Sequence, residues 1–220
     1  MTLALYGHHF SSYTQKVLIA LYENGTAFAF RGLGPDQPEH TADWLKRWPL
    51  AQFPLLLDGD RQIVETSIII EYLQLNHPGP VQFIPSDPAA ALKVRFLDRF
   101  FDLHVMNQQQ IAVNAALGRS GSMTKDEGLA LAGKSLERAY AWLEGELAGR
   151  TWAAGEDFTL ADCAAAPSLF YADWTYQISE AYPTLRAYRT RLLARPSFAR
   201  AVDEARSFRS LFPLGAPERD

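Results

Sequence analysis

The 220-residue chain has a single cysteine, Cys163, so it has no internal disulfide and must hold itself together by packing. A lone thiol fits a reducing compartment better than an oxidising one, and the cytosol is the expected setting. No apolar run approaches the ~18 residues of a membrane span. The opening stretch MTLALYGHHF lacks a basic segment ahead of a long apolar core, so it does not read as a secretory signal. Positive charge is not in excess: 21 Lys and Arg face 25 Asp and Glu, for a net charge of −4. Nucleic acid is therefore not an expected partner, because phosphate recognition needs a basic surface. Arginines gather between Arg186 and Arg209, but acids and apolar residues interrupt them, which reads as solvated helix faces. His8 and His9 are adjacent and point apart, and no Cys, His and carboxylate set has ligand spacing, so no metal is expected.

What is present is ordinary globular composition, 48% hydrophobic and 21% charged, enough to bury a core without staples. Thr2–Tyr6 is a short apolar run ending at Gly7 and reads as a buried strand. Helical spacing from Lys16 to Tyr22 stops at Asn24-Gly25, and Ala27–Arg31 reads as a second strand, which makes a parallel βαβ unit. A short helix is expected over Thr41–Arg47. Leu55–Leu57 and Gln62–Val64 pair around the Asp58-Gly59-Asp60 turn, and Thr66 is placed to N-cap a helix running to Leu75. Prolines 78, 80, 85 and 88 then punctuate a linker. Beyond it only helices are expected, over Ala89–Leu117, Lys125–Leu147, Leu160–Asp173, Pro183–Ala194 and Ser197–Phe208. The fold expectation is an α/β domain of order βαβαββα over residues 1–77, a linker over 78–88 and an all-α helical bundle over 89–220.

Three places in the α/β part can carry chemistry. Ser11 and Ser12 lie between the first strand and the first helix. A hydroxyl there is most simply an N-cap, but the same helix end presents N–H groups and partial positive charge to an anion such as a thiolate. At Phe53-Pro54, proline at a strand start is unremarkable, and the dipeptide alone favours a trans bond. A cis bond would instead leave the Phe53 backbone free to pair with a peptide-like ligand. At Glu65-Thr66, a helix N-terminus beside a carboxylate suits a zwitterion, the N–H groups and hydroxyl taking an α-carboxylate and Glu65 an α-ammonium.

Four stretches in order, Ser11–Leu21, Gln52–Leu56, Glu65–Leu73 and Gly155–Asp162, resemble the cytosolic glutathione S-transferases, and among them the serine-type, bacterial-like members. The resemblance implies a thioredoxin-like N-terminal domain, an all-α C-terminal domain, glutathione as co-substrate with no other cofactor, and a homodimer without nucleic-acid or membrane partners. It implies conjugation of glutathione to small hydrophobic electrophiles, a detoxifying activity. Reduction, isomerisation or dehalogenation on the same scaffold is one alternative, and a non-catalytic interaction module is the other. By resemblance Ser11 stabilises the glutathione thiolate, with Tyr6 and Ser12 as rivals. Phe53, ahead of a cis-Pro54, holds the cysteinyl part, Glu65 and Thr66 the γ-glutamyl end, and Gln52 and His40 the glycyl end. The electrophile pocket is expected at Phe10, Tyr13, His104, Asn107, Gln108 and Ile111.

Other features read as structural. Thr159-Leu160-Ala161-Asp162 fits a capping box, with Phe158 and Cys163 as its hydrophobic staple. Arg95, Asp98, Arg99 and Asp102 have helical spacing and read as local ion pairs on a surface or dimer face. Trp44 and Trp48 read as core or dimer contacts. The last segment, Leu211–Asp220, is expected to be loose.

Overall fold

A computed structural model describes residues 3–220. Strand β1 (Leu3–Gly7) is buried along its whole length; Thr2, expected to begin it, lies outside the described residues. Side chains alternate across a strand. Leu3 and Leu5 therefore enter the large core, whereas Ala4 and Tyr6 enter a small cluster on the opposite face with Leu33, Trp44, Leu55 and Leu57. Helix α1 (Ser12–Glu23) crosses over to β2 (Phe28–Gly32), which pairs with β1 in parallel. Helix α2 (Pro38–Arg47) leads to β3 (Leu55–Asp58), which pairs antiparallel with β1, and β4 (Arg61–Val64), which pairs antiparallel with β3, and α3 (Thr66–Asn76) closes the unit. The strand order is β2-β1-β3-β4, the thioredoxin-like arrangement. At Gly59 in the hairpin turn φ is +59°, the left-handed backbone that glycine adopts without cost. Gly7 serves a different need: a Cβ there would lie 2.6 Å from the Thr14 side chain, so only glycine lets α1 settle onto the end of β1.

The remainder is helical: α4 (Pro88–Phe100), α5 (Asn107–Ala116), α6 (Lys125–Glu146), α7 (Leu160–Thr175), α8 (Pro183–Leu193) and α9 (Pro196–Ala205). A π-helical segment, Phe101–Met106, joins α4 to α5, so the long helix expected over Ala89–Leu117 is continuous but locally widened. A 3₁₀ turn, Arg206–Leu211, follows α9. Helix α7 is apolar nearly all round, which suits the centre of a bundle. Its start is fixed by Asp162, whose buried carboxylate accepts from the N–H groups of Thr159 (2.9 Å) and Ala153 (2.8 Å) and from the hydroxyls of Thr159 (3.1 Å) and Tyr188 (2.6 Å). Burial raises the pKa of Asp162 and the four donors oppose that rise. Cys163 beside it is fully buried and its pKa is raised well above the usual range, chiefly by burial, so it is an inert core residue.

Three expectations give way to the structure. The C-terminal arginines are not all solvated: Arg195 makes a bidentate pair with Glu23 (2.7 and 2.6 Å) and lies 3.9 Å over the Phe158 ring. The last segment is tethered, Arg219 to Asp173 at 3.1 Å and Asp220 to Arg206 at 2.7 Å. Asp98 and Asp102 do not sit on a surface. They are buried around Lys16 of α1, itself 1% exposed, at 2.6 and 2.9 Å, while Arg95 turns away to Glu71. The Asp98 contact is close but out of line for a hydrogen bond. Ser67 of α3 completes this knot, accepting from Lys16 (3.1 Å) and donating to Asp98 (2.7 Å).

Candidate active site

A cavity of about 890 Å³ opens where the N-termini of α1 and α3 face the long helix of the bundle. A volume of that order is enough for a tripeptide and a second small molecule. Ser11, Tyr13, Trp48, Gln52, Phe53 and Pro54 line it together with Glu65, Thr66 and Asn107.

The two helix ends are built differently. Ser11 is the N-cap of α1, its Oγ accepting from the Thr14 N–H at 3.3 Å. That bond uses a lone pair and leaves the hydroxyl proton free to donate into the cavity. At α3 the N-cap position is Glu65, not Thr66, and no side chain caps the helix. Glu65 has φ +66°, unusual for a residue with a Cβ. The first backbone bond there is Ile69 N–H to Glu65 C=O (2.8 Å), so Thr66, Ser67 and Ile68 present N–H groups at the cavity wall.

Between the two ends, the Phe53-Pro54 bond is cis, although the dipeptide alone favours trans. No backbone hydrogen bond of Phe53 is found among the described residues. Its ring packs edge-on to Trp44, whose indole N–H donates to the Gln52 carbonyl at 3.1 Å. Trp44 is thus core, whereas Trp48 lines the cavity.

Several residues expected at the site lie elsewhere for definable reasons. Tyr6 sits on the face of the sheet away from α1, its hydroxyl donating to Asp43 and accepting from Arg31. Burial raises its pKa, with the Asp43 bond second. Ser12 is the first residue of α1 and His40 points its Nδ1 at the Gly32 carbonyl (3.3 Å); neither lines the cavity. The Phe10 ring turns against Tyr171, with centroids 5.3 Å apart. His104 and Gln108 line a separate hollow with Phe100, Arg138 and Trp142.

On the bundle side the cavity is faced by Arg99, Leu103, Asn107 and Gln110, with Asp102 and Arg119 beside them. The expected set His104, Asn107, Gln108 and Ile111 is mostly one residue off that stripe, a rotation of about 100°. The lining positions 99, 103, 107 and 110 fall at ordinary helical spacing, one residue round from the expected stripe. Across the cavity the Tyr13 hydroxyl donates to Asn107 Oδ1 at 3.0 Å, joining the two halves. Burial pushes Tyr13 up to about 12, with the Asp102 charge second, so it stays a neutral donor. Asp102 is also raised by burial, against the pull of Lys16. No group of three or more potential metal-ligating side chains is found among the described residues.

A small thioredoxin-like sheet is joined to a helical bundle, with a cavity between two helix N-termini. Comparison with known proteins makes that specific. Residues 5–81 match the family model described as Glutathione S-transferase, N-terminal domain, and residues 103–196 match Glutathione S-transferase, C-terminal domain. The chain is 30% identical to a probable maleylacetoacetate isomerase of Vibrio cholerae, over 93% of this chain and 97% of that protein. It is likewise 30% identical to Glutathione S-transferase Z2 of Arabidopsis thaliana, over 92% and 91%. Among solved structures it is similar to a glutathione transferase homolog from Drosophila mojavensis with bound glutathione, at TM-score 0.81 and 22% identity over 96% of each chain, a likeness of fold. The protein belongs to the cytosolic glutathione S-transferase family.

Proposed function

We propose that the protein binds glutathione in the main cavity, stabilises its thiolate through Ser11 and directs the sulfur at an electrophilic carbon of a second small molecule. The observation that carries this reading is the Ser11 hydroxyl, fixed as an N-cap at the cavity wall with its proton uncommitted. A free thiol of pKa about 8.5 is mostly protonated at neutral pH. Lowering that pKa by ~2 units takes about 2.7 kcal/mol of added thiolate stabilisation. One hydrogen bond to a charged acceptor supplies roughly 1.5–3 kcal/mol, and a helix N-terminus adds ~0.3–1 kcal/mol. Together the hydroxyl and the helix end reach the required size.

The remaining parts fit the tripeptide. The unpaired backbone of Phe53 suits the cysteinyl unit. The open α3 end takes the γ-glutamyl carboxylate and Glu65 its ammonium, while Gln52 with Trp48 faces the glycyl end. Substitution on the second substrate gives transfer. Addition followed by elimination of the same sulfur gives isomerisation, the reaction that the name of the Vibrio cholerae relative carries. Both begin with the same thiolate. The decisive experiment follows thiolate absorbance of protein-bound glutathione against pH. Ionisation below pH 7 that shifts upward in Ser11→Ala is the expected result. Binding without a shift refutes Ser11 as the activator, and no binding refutes the glutathione reading.

A further inference from the structure

The loop His8–Ser11 joins β1 to α1, and each of its backbone carbonyls is held. His8 C=O accepts from the Ser11 N–H and Ser11 C=O from the Gln15 N–H, both at 2.9 Å, bonds that the chain makes as it turns into the helix. The other two are held by side chains. Gln15 Nε2 donates to His9 C=O at 2.9 Å, and the Tyr171 hydroxyl of α7 donates to Phe10 C=O at 3.0 Å. Gln15 Nε2 also donates to the Tyr171 oxygen at 3.1 Å. Both side chains are buried. The proton order is fixed, because the two carbonyls can only accept. It runs from the Gln15 amide to the Tyr171 hydroxyl and on to Phe10, and each bond polarises the next. Burial raises the Tyr171 pKa against the pull of the Gln15 bond and the Arg209 charge, so the hydroxyl keeps its proton.

Two features tie this chain of bonds to Ser11. The first is what it leaves undone: Gln15 Oε1 is buried with no hydrogen-bond partner among the described residues. Packing alone penalises an empty buried acceptor, and an apolar side chain of the same size would avoid it. The amide is turned toward the loop in spite of that cost. The second is which carbonyl is held. Phe10 C=O belongs to the planar peptide unit that also contains the Ser11 nitrogen, so fixing it fixes the backbone from which the Ser11 side chain projects. Ser11 has little else to aim it. Its Oγ accepts from the Thr14 N–H at 3.3 Å, longer than the usual range of about 2.7–3.2 Å. A donor directed at one sulfur atom is sensitive to such aim, since a misplacement of about 1 Å can lower a rate about 100-fold.

We infer that Tyr171 is a positioning residue for Ser11: through the Gln15–Tyr171 chain of hydrogen bonds, the helical bundle sets the direction of the hydroxyl carried by the thioredoxin-like half. This rests on the reading of Ser11 as the thiolate donor and deepens it. Tyr171 does not line the cavity, so it acts on the strength of the thiolate bond and not on the grip on the tripeptide.

The test uses the full chain. Tyr171→Phe keeps the ring and removes one oxygen. The pKa of bound glutathione, followed by thiolate absorbance, is expected to rise by about 0.5–1 unit, an about three- to tenfold loss of thiolate at fixed pH. Affinity for S-methylglutathione, which has no thiol to ionise, is expected to change less than about twofold, because the lost interaction belongs to the charged sulfur alone. In a Ser11→Ala background the same substitution should add no further shift, since the two act through one group. Gln15→Met removes both amide donors with little change in volume and should move the thiol in the same direction. It also carries the test if Tyr171→Phe does not fold. An unchanged thiol in either folded variant makes the bonds merely structural and overturns the inference. So does a shift that persists in the Ser11→Ala background, or a loss of S-methylglutathione affinity as large as the loss of thiolate. Wild type and Ser11→Ala titrated alongside keep the two readings apart. If Ser11→Ala leaves the thiol unmoved, both readings fall; if Ser11→Ala moves it and Tyr171→Phe does not, only the positioning role falls.

Discussion

Two helix N-termini look into one cavity, and the protein finishes them in opposite ways. Helix α1 caps itself: Ser11 satisfies the Thr14 N–H and holds its own proton outward. Helix α3 is left open, with a left-handed Glu65 where a capping side chain would stand. A capped end has a fixed side-chain donor and little spare backbone, which suits stabilising one atom of a ligand. An open end has several N–H groups and no competing oxygen, which suits holding a whole carboxylate. Capping costs α1 nothing in stability, whereas leaving α3 open forgoes the ~0.5–2 kcal/mol that a cap supplies. The difference separates a device for chemistry from a device for binding.

Both ends can be disturbed at once. Lys16 of α1 binds Ser67 of α3 and the two buried carboxylates of the bundle, so Lys16→Met leaves Asp98 and Asp102 uncompensated. Urea unfolding should report a loss of about 3–5 kcal/mol, the largest effect expected. Breaking only the α1 end is the next largest. Ser11→Ala should lower kcat/KM by about 10- to 100-fold, the equivalent of 1.5–3 kcal/mol, and move the acid limb of the pH–rate profile upward. Ser11→Asp sharpens the point, because it keeps the cap but presents a negative charge in place of a donor. It should keep the melting temperature and still lose the rate.

At the α3 end, Glu65→Gln should raise the KM for glutathione by about tenfold, near 1.4 kcal/mol, with kcat changed far less. An equal fall in kcat would mean that the open end takes part in the chemistry. Smallest is Tyr13→Phe, which removes the bond to Asn107. A loss of ~0.5–1.5 kcal/mol in stability is expected, with less than a threefold change in the affinity for glutathione.

Much of this was legible from local signals. The βαβ unit, the hairpin at Asp58-Gly59 and the capping box at Thr159 have short-range causes, and the structure places them within a few residues of the bounds read from the sequence. Ser11, Phe53, Glu65 and Thr66 were reachable through the resemblance and all line the cavity. What escaped depends on three-dimensional phase. The phase of one long helix escaped by a single residue, so His104, Gln108 and Ile111 were expected where Leu103, Asn107 and Gln110 stand. Lys16 read as one position of an amphipathic helix, and only burial against Asp98 and Asp102 reveals its task. Arg119 carried no signal, because a lone arginine after a helix-ending glycine is common on surfaces.

The Lys16 knot also bears on how such chains can be recombined. Its lysine and serine come from the thioredoxin-like part and its two aspartates from the bundle. A bundle from a relative lacking the aspartates would bring Lys16 into an apolar seam with no counter-charge. One keeping them, joined to a partner without the lysine, would bury two like charges side by side. The halves are therefore not free to be shuffled: these four residues act as a matched lock, and a chimera across residues 77–88 should fold only when all of them travel together.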